Sequence, residues 1–292
     1  MPERIGEFQV LGELGKGANS TILHIRRSSD SKQYALKIVP IESEEDHKYL
    51  EQAEHEFRIA QKLNHRNLIR IYILEKVPKW LFFGVKEVRL LIEYVPGKTL
   101  DKQRILSFPK LVQVFEQVAS GLAHMHRRDI YHADLKPGNI MLSRAGVVKI
   151  IDYGLAWTKD APKNRVQGTP EYMAPEQVKE RIVNEQTDIF NFGATMYRLC
   201  TWKNIPKVMD EEGQVVPHQI WERQLQGVRE ANPACPAPLA ELIHRCLAYK
   251  PQKRPESMTD VHETLQALVD QLVTDPADRL EALEWSDEAS PS

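Results

Sequence analysis

Residues 131–139 read Tyr-His-Ala-Asp-Leu-Lys-Pro-Gly-Asn and stand between an amphipathic run typical of a helix and a short apolar run at 140–142. The Pro-Gly pair predicts a sharp turn between Asp134 and Asn139. Such a turn would bring a carboxylate, the ammonium of Lys136 and a carboxamide into one small volume. A carboxylate there can accept a proton from a hydroxyl, the ammonium can neutralise a phosphoryl group in transfer, and the carboxamide oxygen can hold a hard cation such as Mg²⁺. An ordinary Asp/Pro/Gly turn is the alternative, and the rest of the chain decides between the two.

A second informative region lies near the start of the chain. Residues 8–14 alternate apolar and polar side chains, and residues 21–25 alternate again after a turn of small residues, which predicts a β-hairpin. Small residues at the turn let backbone N–H groups approach a phosphate chain without a side-chain clash. A third strand, at 33–39, carries Lys37 among apolar neighbours. An isolated lysine in a strand is most often a solvated edge residue, but its register with the hairpin favours a functional role.

Several segments together resemble the motifs of protein kinases. Residues 132–139 resemble the catalytic loop H-R-D-L-x-x-x-N, residues 15–22 the glycine-rich loop G-x-G-x-x-G-x-V, and residues 35–37 the strand V-A-I-K. Residues 152–154 (Asp-Tyr-Gly) resemble D-F-G, and residues 174–176 match A-P-E. Two positions depart from the family pattern, because Ala133 stands where the family usually has Arg and Ser20 replaces the third glycine. The whole pattern resembles the eukaryotic-like (Hanks-type) serine/threonine kinases, with a compact layout similar to the bacterial ones.

The resemblance implies an α+β, bilobal protein kinase fold with a small β-rich N-lobe and a larger α-helical C-lobe. We expect the kinase domain at residues 8–272, with the N-lobe at 8–95 and the C-lobe at 96–272. Periodicity predicts strands at 68–74 and 89–95, and helices at 44–63, 109–128, 219–226, 238–248 and 258–272. Residues 155–169 lack periodicity and are expected to form a mobile loop. Residues 275–292 are acidic and poor in apolar residues, so we expect a disordered tail.

The resemblance also implies roles for individual residues. Asp134 would orient the substrate hydroxyl and accept its proton, and Lys136 would stabilise the charge of the moving phosphoryl group. Lys37 would position the phosphates of ATP through an ion pair with Glu56. Glu56 is chosen over two neighbouring helix glutamates by its distance from the Asn-His-Arg-Asn segment that follows the helix.

The expected cofactors are ATP and Mg²⁺. Asn139 and Asp152 would hold the metal. The hinge between the lobes would bind adenine through its backbone, and the glycine-rich hairpin would bind the phosphates. The residues expected to contact the nucleotide are Leu14, Gly15, Lys16, Gly17, Ala18, Asn19, Ser20, Thr21, Ile22, Ala35, Lys37, Glu56, Glu93, Val95 and Met141. Two structural contacts are implied as well: Asp188 would tie down the backbone of the catalytic loop, and Glu176 would pair with buried Arg254.

The implied activity is transfer of the γ-phosphoryl group of MgATP to Ser/Thr hydroxyls of proteins. Lys136 and Thr169 favour Ser/Thr over Tyr as the acceptor. A pseudokinase or nucleotide-binding scaffold is an alternative that Ser20 and Ala133 support. A phosphotransferase for small molecules is a second alternative, against which the A-P-E segment argues, and an adaptor acting through the apolar cluster at 80–83 is a third.

Ala133 also predicts how the activity is regulated. The family's Arg at this position pairs with a phosphate on the activation loop, since a guanidinium fork suits phosphate oxygens. Without it, phosphorylation of this loop is expected not to be essential, and replacing Thr158 with Ala is expected to leave activity nearly intact.

Composition excludes several other classes of protein. The 292 residues carry a formal net charge of −2, so no strong field points to nucleic acid or a membrane. The three cysteines lack metal-like spacing and suit a reducing compartment, and neither a signal peptide nor a membrane span is evident. We expect a cytoplasmic protein that acts on protein substrates, without nucleic acid or membrane partners and with any regulator supplied from outside the chain. The sequence leaves the oligomeric state open.

Overall fold

The computed structural model describes residues 4–17, 19–79, 84–105, 107–159 and 167–280. Four predicted features lie wholly or partly outside these residues: Ala18 of the hairpin, the apolar cluster at 80–83, positions 160–166 of the loop and positions 281–292 of the tail. The chain divides into two compact units, and the first consists of Met1–Asn64, Leu68–Pro96 and Asp152–Gly154. The second unit consists of His65–Asn67, Gly97–Ile151 and Leu155–Ser292.

The first unit is an antiparallel sheet with a helix. Its strands are β1 (Arg4–Ile5), β2 (Phe8–Gly17), β3 (Ser20–Arg27), β4 (Gln33–Pro40), β5 (Ile71–Pro78) and β6 (Val85–Glu93), in the sheet order β1-β2-β3-β4-β6-β5. Helix α1 spans His47–Ala60. One face of the sheet buries Ile25, Leu36 and Leu91 against each other, because alternate residues of a strand point to the same face.

Two boundaries in this unit differ from the sequence-based expectation. Pairing of β5 with β6 starts only at Ile71, opposite Ile92, and continues to Pro78. Leu68 and Ile69 are buried ahead of the strand, which accounts for their apolar character. The helix expected at 44–63 begins instead with a 3₁₀ turn at Glu44–Asp46.

The second unit is mostly helical. Its helices are α2 (Phe108–His126), α3 (Pro175–Lys179), α4 (Glu185–Thr201), α5 (His218–Gln224), α6 (Val228–Ala231), α7 (Ala237–Cys246) and α8 (Met258–Leu272). Its short strands are β7 (Gly97–Thr99), β8 (Ile130–Tyr131), β9 (Ile140–Ser143), β10 (Val148–Ile150) and β11 (Trp157–Thr158), which form the sheets β10-β9-β7 and β11-β8. The β-rich first unit and the helical second unit confirm the predicted fold class.

The core of the second unit lies along α2. Its apolar residues at helical spacing are buried, and Phe115 meets Phe192 of α4 edge to face, with ring centroids 6.2 Å apart. Gly97 is required where β7 meets β9, because a Cβ at this position would lie 2.1 Å from the carbonyl oxygen of Leu142. Among the described residues, no helix has the length and apolar character needed to cross a membrane.

The beginning of the predicted tail packs against α2. A 3₁₀ turn covers Pro276–Asp278, and the side chain of Gln113 donates a hydrogen bond to the carbonyl oxygen of Asp278 at 2.6 Å. Leu280 is only 3 % exposed. The disorder expected from residue 275 therefore does not apply to positions 275–280, and it stays a prediction for the rest of the tail.

Candidate active site

The catalytic loop in the second unit forms the turn that the Pro-Gly pair predicts. A 3₁₀ turn at Pro137–Asn139 leads into β9. Lys136 Nζ lies 3.0 Å from Asp134 Oδ2, and Asn139 Nδ2 donates to the carbonyl oxygen of Asp134 at 2.9 Å. The carboxylate, ammonium and carboxamide are thus held in one place by a local turn, and Asp134 remains slightly exposed, at 8 %.

Thr169 fixes the second oxygen of the same carboxylate. Its backbone N–H and its hydroxyl each donate to Asp134 Oδ1 at 2.8 Å. Lys136 Nζ in turn donates to Thr169 Oγ1 at 2.6 Å. Asp134 is therefore oriented at both oxygens, by Lys136 at one and by Thr169 at the other, and this leaves the carboxylate little rotational freedom.

Asp188 on α4 holds the backbone immediately before Asp134, as the resemblance implied. Its oxygens accept hydrogen bonds from the N–H of His132 at 2.7 Å and of Ala133 at 2.8 Å. The side chain of Asp188 is fully buried. Because both backbone N–H groups are bound to one buried carboxylate, Asp188 fixes the backbone conformation at the start of the catalytic loop.

His126 completes this contact, and sequence reasoning missed it. Its ring nitrogens lie 2.8 Å from Asp188 Oδ2 and 3.1 Å from Glu185 Oε1. Burial lowers the pKa of His126, but the hydrogen bonds to the two carboxylates outweigh burial and raise the pKa to about 9. For Asp188, burial raises the pKa of the carboxyl, but the hydrogen bond and the charge of the His126 imidazolium lower it by more, so its net shift is downward. At neutral pH the group is therefore a carboxylate–imidazolium–carboxylate chain beneath the catalytic loop.

The first unit contains the predicted ion pair of Lys37 and Glu56. Lys37 Nζ on β4 lies 2.7 Å from Glu56 Oε2 on α1. Burial lowers the pKa of Lys37. The negative charges of Glu56 and Asp152 raise it by more than burial lowers it, so the net shift of the pKa is upward. Burial raises the pKa of Glu56, and the lysine opposes that rise. The short distance is that of a charge-assisted hydrogen bond, which fits an ammonium held by a carboxylate.

The glycine-rich hairpin is in register with this lysine. Gly15 pairs with Ile22 across β2 and β3, and Ile22 pairs with Lys37 across β3 and β4. A Cβ on Gly17 would lie 2.7 Å from Ser20 Oγ, so the small residues at this turn allow a close approach. Five of the remaining expected nucleotide contacts lie on β2, β3 or β4 or just after β2: Leu14, Lys16, Asn19, Thr21 and Ala35. Glu93 is the last residue of β6, and Val95 follows it by two positions.

The expected metal ligands fit a hard cation by their chemistry. Asp152 lies in the first unit with a backbone φ of 70° and accepts a hydrogen bond from the N–H of Gly154 at 2.9 Å. Asn139 lies in the second unit and donates through Nδ2, and no described residue donates to its Oδ1. Mg²⁺ typically takes one or two protein oxygens and completes its shell with phosphates and water. Met141, the last expected nucleotide contact, lies on β9 opposite Thr99 of β7.

The structure also confirms the implied pairing of Glu176 with Arg254. The guanidinium donates from both terminal nitrogens to the two carboxylate oxygens, at 2.7 and 2.9 Å. Both residues are buried. This bidentate contact anchors the start of α3, which follows the activation segment.

Comparison with known proteins gives the family. Residues 8–269 match the protein kinase domain family, and the chain belongs to it. The chain is 26 % identical over 284 residues to the serine/threonine-protein kinase PrkC of Bacillus subtilis, covering 94 % of this chain and 41 % of that protein. It is 31 % identical over 277 residues to the serine/threonine-protein kinase Pkn1 of Myxococcus xanthus, covering 90 % and 38 %. Aurora kinase C of Mus musculus is 28 % identical over 258 residues, covering 86 % and 88 %.

These relatives confirm the resemblance to Hanks-type serine/threonine kinases, including bacterial ones. The chain spans between about two fifths and one half of the length of the bacterial relatives compared with it. Position 133 is Ala where the family motif has Arg, and position 20 is Ser where it has Gly.

Proposed function

We propose that this chain is a protein-serine/threonine kinase that transfers the γ-phosphoryl group of MgATP to Ser/Thr hydroxyls of proteins. The observation that carries the proposal is the double anchoring of Asp134, by Lys136 at one oxygen and by Thr169 at the other. A carboxylate fixed in this way is suited to orient a hydroxyl nucleophile and to take its proton.

The reaction needs little from the protein beyond positioning and charge stabilisation. The hydroxyl oxygen forms a bond to the γ-phosphorus, the bond from that phosphorus to the ADP oxygen breaks, and the hydroxyl proton goes to Asp134. Lys136 offsets the negative charge of the moving group, and Lys37, held by Glu56, orients the phosphates. Mg²⁺ supplies neutralisation of the phosphate charge when bound, and Asn139 and Asp152 would hold it.

The acceptor residue tests this function directly. The chain is incubated with γ-labelled MgATP and a mixture of Ser/Thr-containing and Tyr-containing protein substrates, and the labelled products are hydrolysed to phosphoamino acids. We expect phosphoserine and phosphothreonine. Nucleotide binding without any transfer would contradict the kinase and support the pseudokinase alternative. Label on tyrosine alone would contradict the choice of acceptor.

We further propose that activation-loop phosphorylation is not essential. Residues 155–169 contain two hydroxyl side chains, Thr158 and Thr169, and Thr169 is already engaged with Asp134. Thr158 lies on β11 and pairs with Ile130 of β8. Ala133 is buried in an apolar cluster with Tyr131 and Val183, which gives a phosphate at Thr158 no guanidinium to bind at that position.

The Thr158→Ala variant tests this second proposal. Its rate should stay within about twofold of the unmodified protein, because no phosphate contact is lost. A large loss in the variant, together with a gain on phosphorylation of the natural chain, would contradict the proposal.

The three buried cysteines, none in a disulfide, support a reducing compartment such as the cytoplasm as the place of action.

A further inference from the structure

Gln177 on α3 is a fully buried carboxamide between two loops of the second unit. Its Nε2 donates to the carbonyl oxygen of Ala133 at 2.9 Å and to that of Gln167 at 2.9 Å. Its Oε1 accepts a hydrogen bond from the N–H of Ala174 at 3.3 Å. The two N–H donors and the oxygen of the carboxamide therefore all make hydrogen bonds within the protein, as a side chain with no exposed surface requires.

The two carbonyl partners flank the contact that orients Asp134. Ala133 immediately precedes Asp134, and Gln167 comes two residues before Thr169. The N–H and the hydroxyl of Thr169 bind Asp134 Oδ1. One carboxamide thus holds the backbone on each side of this contact, so it fixes how closely the activation segment approaches the catalytic loop.

The backbone between these residues is shaped to admit the carboxamide. Gly168 has a φ of +135°, which other residues rarely adopt, and a Cβ there would lie 3.0 Å from Gln177 Nε2. The close approach and the positive φ belong to the same glycine, which links Gln167 to Thr169.

We propose that Gln177 is a positioning residue for the phosphoryl-transfer reaction, acting on Asp134 through the backbone of Ala133 and through Thr169. This inference rests on the proposed kinase function. It needs no phosphate on the activation segment, because both bonds that Nε2 makes are to backbone carbonyls. A carboxamide is the side chain that offers two donors and an acceptor at this length, whereas a carboxylate offers acceptors alone.

The test uses Gln177→Glu, which keeps the shape and removes both donors. The buried carboxylate would face two carbonyl oxygens, so we expect kcat to fall by about 10-fold to 100-fold. The KM for ATP should change by less than about twofold, since the nucleotide contacts in the first unit are untouched. The matched control is Gln117→Glu, because Gln117 also donates to a backbone carbonyl, that of Gly146 at 3.0 Å, away from the catalytic loop. Its kcat should stay within about twofold of the unmodified protein.

A coupling measurement separates positioning from general damage. In a Thr169→Val background the hydroxyl contact to Asp134 is already lost. The factor by which Gln177→Glu lowers kcat should therefore be at least about fivefold smaller in this background than in the natural chain. Equal reductions in both backgrounds would overturn the inference. If Gln177→Glu does not fold, Gln177→Met, which is apolar and of similar length, takes its place with the same expected results.

Hydrogen exchange of individual amides tests the inference without activity. In the Gln177 variant the amide of Thr169, which binds Asp134 Oδ1, should exchange about 10-fold faster. The amide of Ala133, which binds Asp188, should be unchanged. If the natural chain transfers no phosphate but the Thr169 amide responds in this way, the kinase proposal fails, and only the structural part of the inference stands, namely that Gln177 holds Thr169 against Asp134. An unchanged Thr169 amide in a folded variant overturns the positioning role, whether or not the chain is active.

Discussion

Removing His126 should destabilise the protein in a way that depends on pH. The carboxylates of Asp188 and Glu185 raise the pKa of His126 from 6.5 to about 9. A group whose pKa is higher in the folded state contributes stability that is complete below its unfolded pKa and is lost as the pH rises through its folded pKa. The difference corresponds to about 3 kcal/mol. This contribution is therefore complete below about pH 6.5 and is lost as the pH rises through about 9.

The His126→Ala variant measures this contribution. Loss of the ring also leaves a cavity, but that cost does not change with pH. We expect the substitution to lower the free energy of unfolding by about 3 kcal/mol more at pH 6 than at pH 9.5. Urea unfolding followed at both pH values gives the two differences, and comparison with the natural chain at each pH removes the titration of other groups.

His124 provides the control, since it lies on the same helix and is also buried. Burial lowers the pKa of His124 to about 4, and nearby cationic side chains contribute to the same shift. His124 is therefore neutral in the folded state throughout this range, but at pH 6 it is mostly protonated in the unfolded state. His124→Ala should accordingly cost about 1 kcal/mol less at pH 6 than at pH 9.5, a pH dependence that is smaller than that of His126→Ala and opposite in sign. If His126→Ala shows no larger pH dependence than His124→Ala, the imidazolium between two carboxylates is refuted.

Three further changes have defined outcomes. Arg254→Ala leaves the buried carboxylate of Glu176 unpaired, so urea unfolding should report a loss of about 3–5 kcal/mol. In Glu56→Gln the side chain keeps a hydrogen bond to the strand lysine but loses the charge, and the rate of transfer from γ-labelled ATP should fall by about 10-fold without a change in the circular dichroism spectrum. Trp157→Ala removes the ring that packs on the apolar cluster at Ala133, and should lower the unfolding free energy by about 1–3 kcal/mol, whereas Trp157→Phe should retain most of it. Full stability of Arg254→Ala would contradict the buried ion pair, and an undiminished rate of Glu56→Gln would contradict the role of the charged pair. A Trp157→Phe variant as unstable as Trp157→Ala would contradict the packing of the ring on the cluster.

The parts of the site that the sequence predicted are local or spaced by regular elements. Asp134, Lys136 and Asn139 lie within one six-residue turn that a Pro-Gly pair forces, so their proximity follows from the sequence itself. Lys37 and Glu56 are 19 residues apart, and a strand and a helix of ordinary length carry them to each other. The strand alternation also predicted the register that places the hairpin next to the lysine.

The parts that sequence reasoning missed depend on contacts between distant residues of ambiguous type. His126 and Asp188 are 62 residues apart, and one of ten histidines at the end of an amphipathic helix carries no signal of its own. Gln177 contacts Ala133 across 44 residues, and glutamine is ordinarily a surface residue. Burial and pairing of such polar groups are decided by tertiary packing, which the local pattern does not encode.

The positions of some elements were missed for the same reason. Leu68 and Ile69 have the apolar character of a strand, but the sheet pairs only from Ile71 onward. The acidic composition after residue 275 indicated disorder, whereas two hydrogen bonds hold the first part of this segment against α2: Gln113 donates to the carbonyl oxygen of Asp278 and accepts from the N–H of Leu280. In both cases burial against a neighbouring element determined the structure.

We propose that Asp134 serves the transfer step rather than the fold. Asp134→Asn is the most direct test, because the carboxamide has nearly the same shape but cannot accept the proton of the hydroxyl. The measurement is kcat for transfer from γ-labelled MgATP to a Ser/Thr substrate, together with the dissociation constant of ATP for both proteins. We predict that kcat falls by about 10²-fold to 10⁴-fold while the dissociation constant stays within about twofold. Transfer at an undiminished rate by the Asn variant would contradict the account.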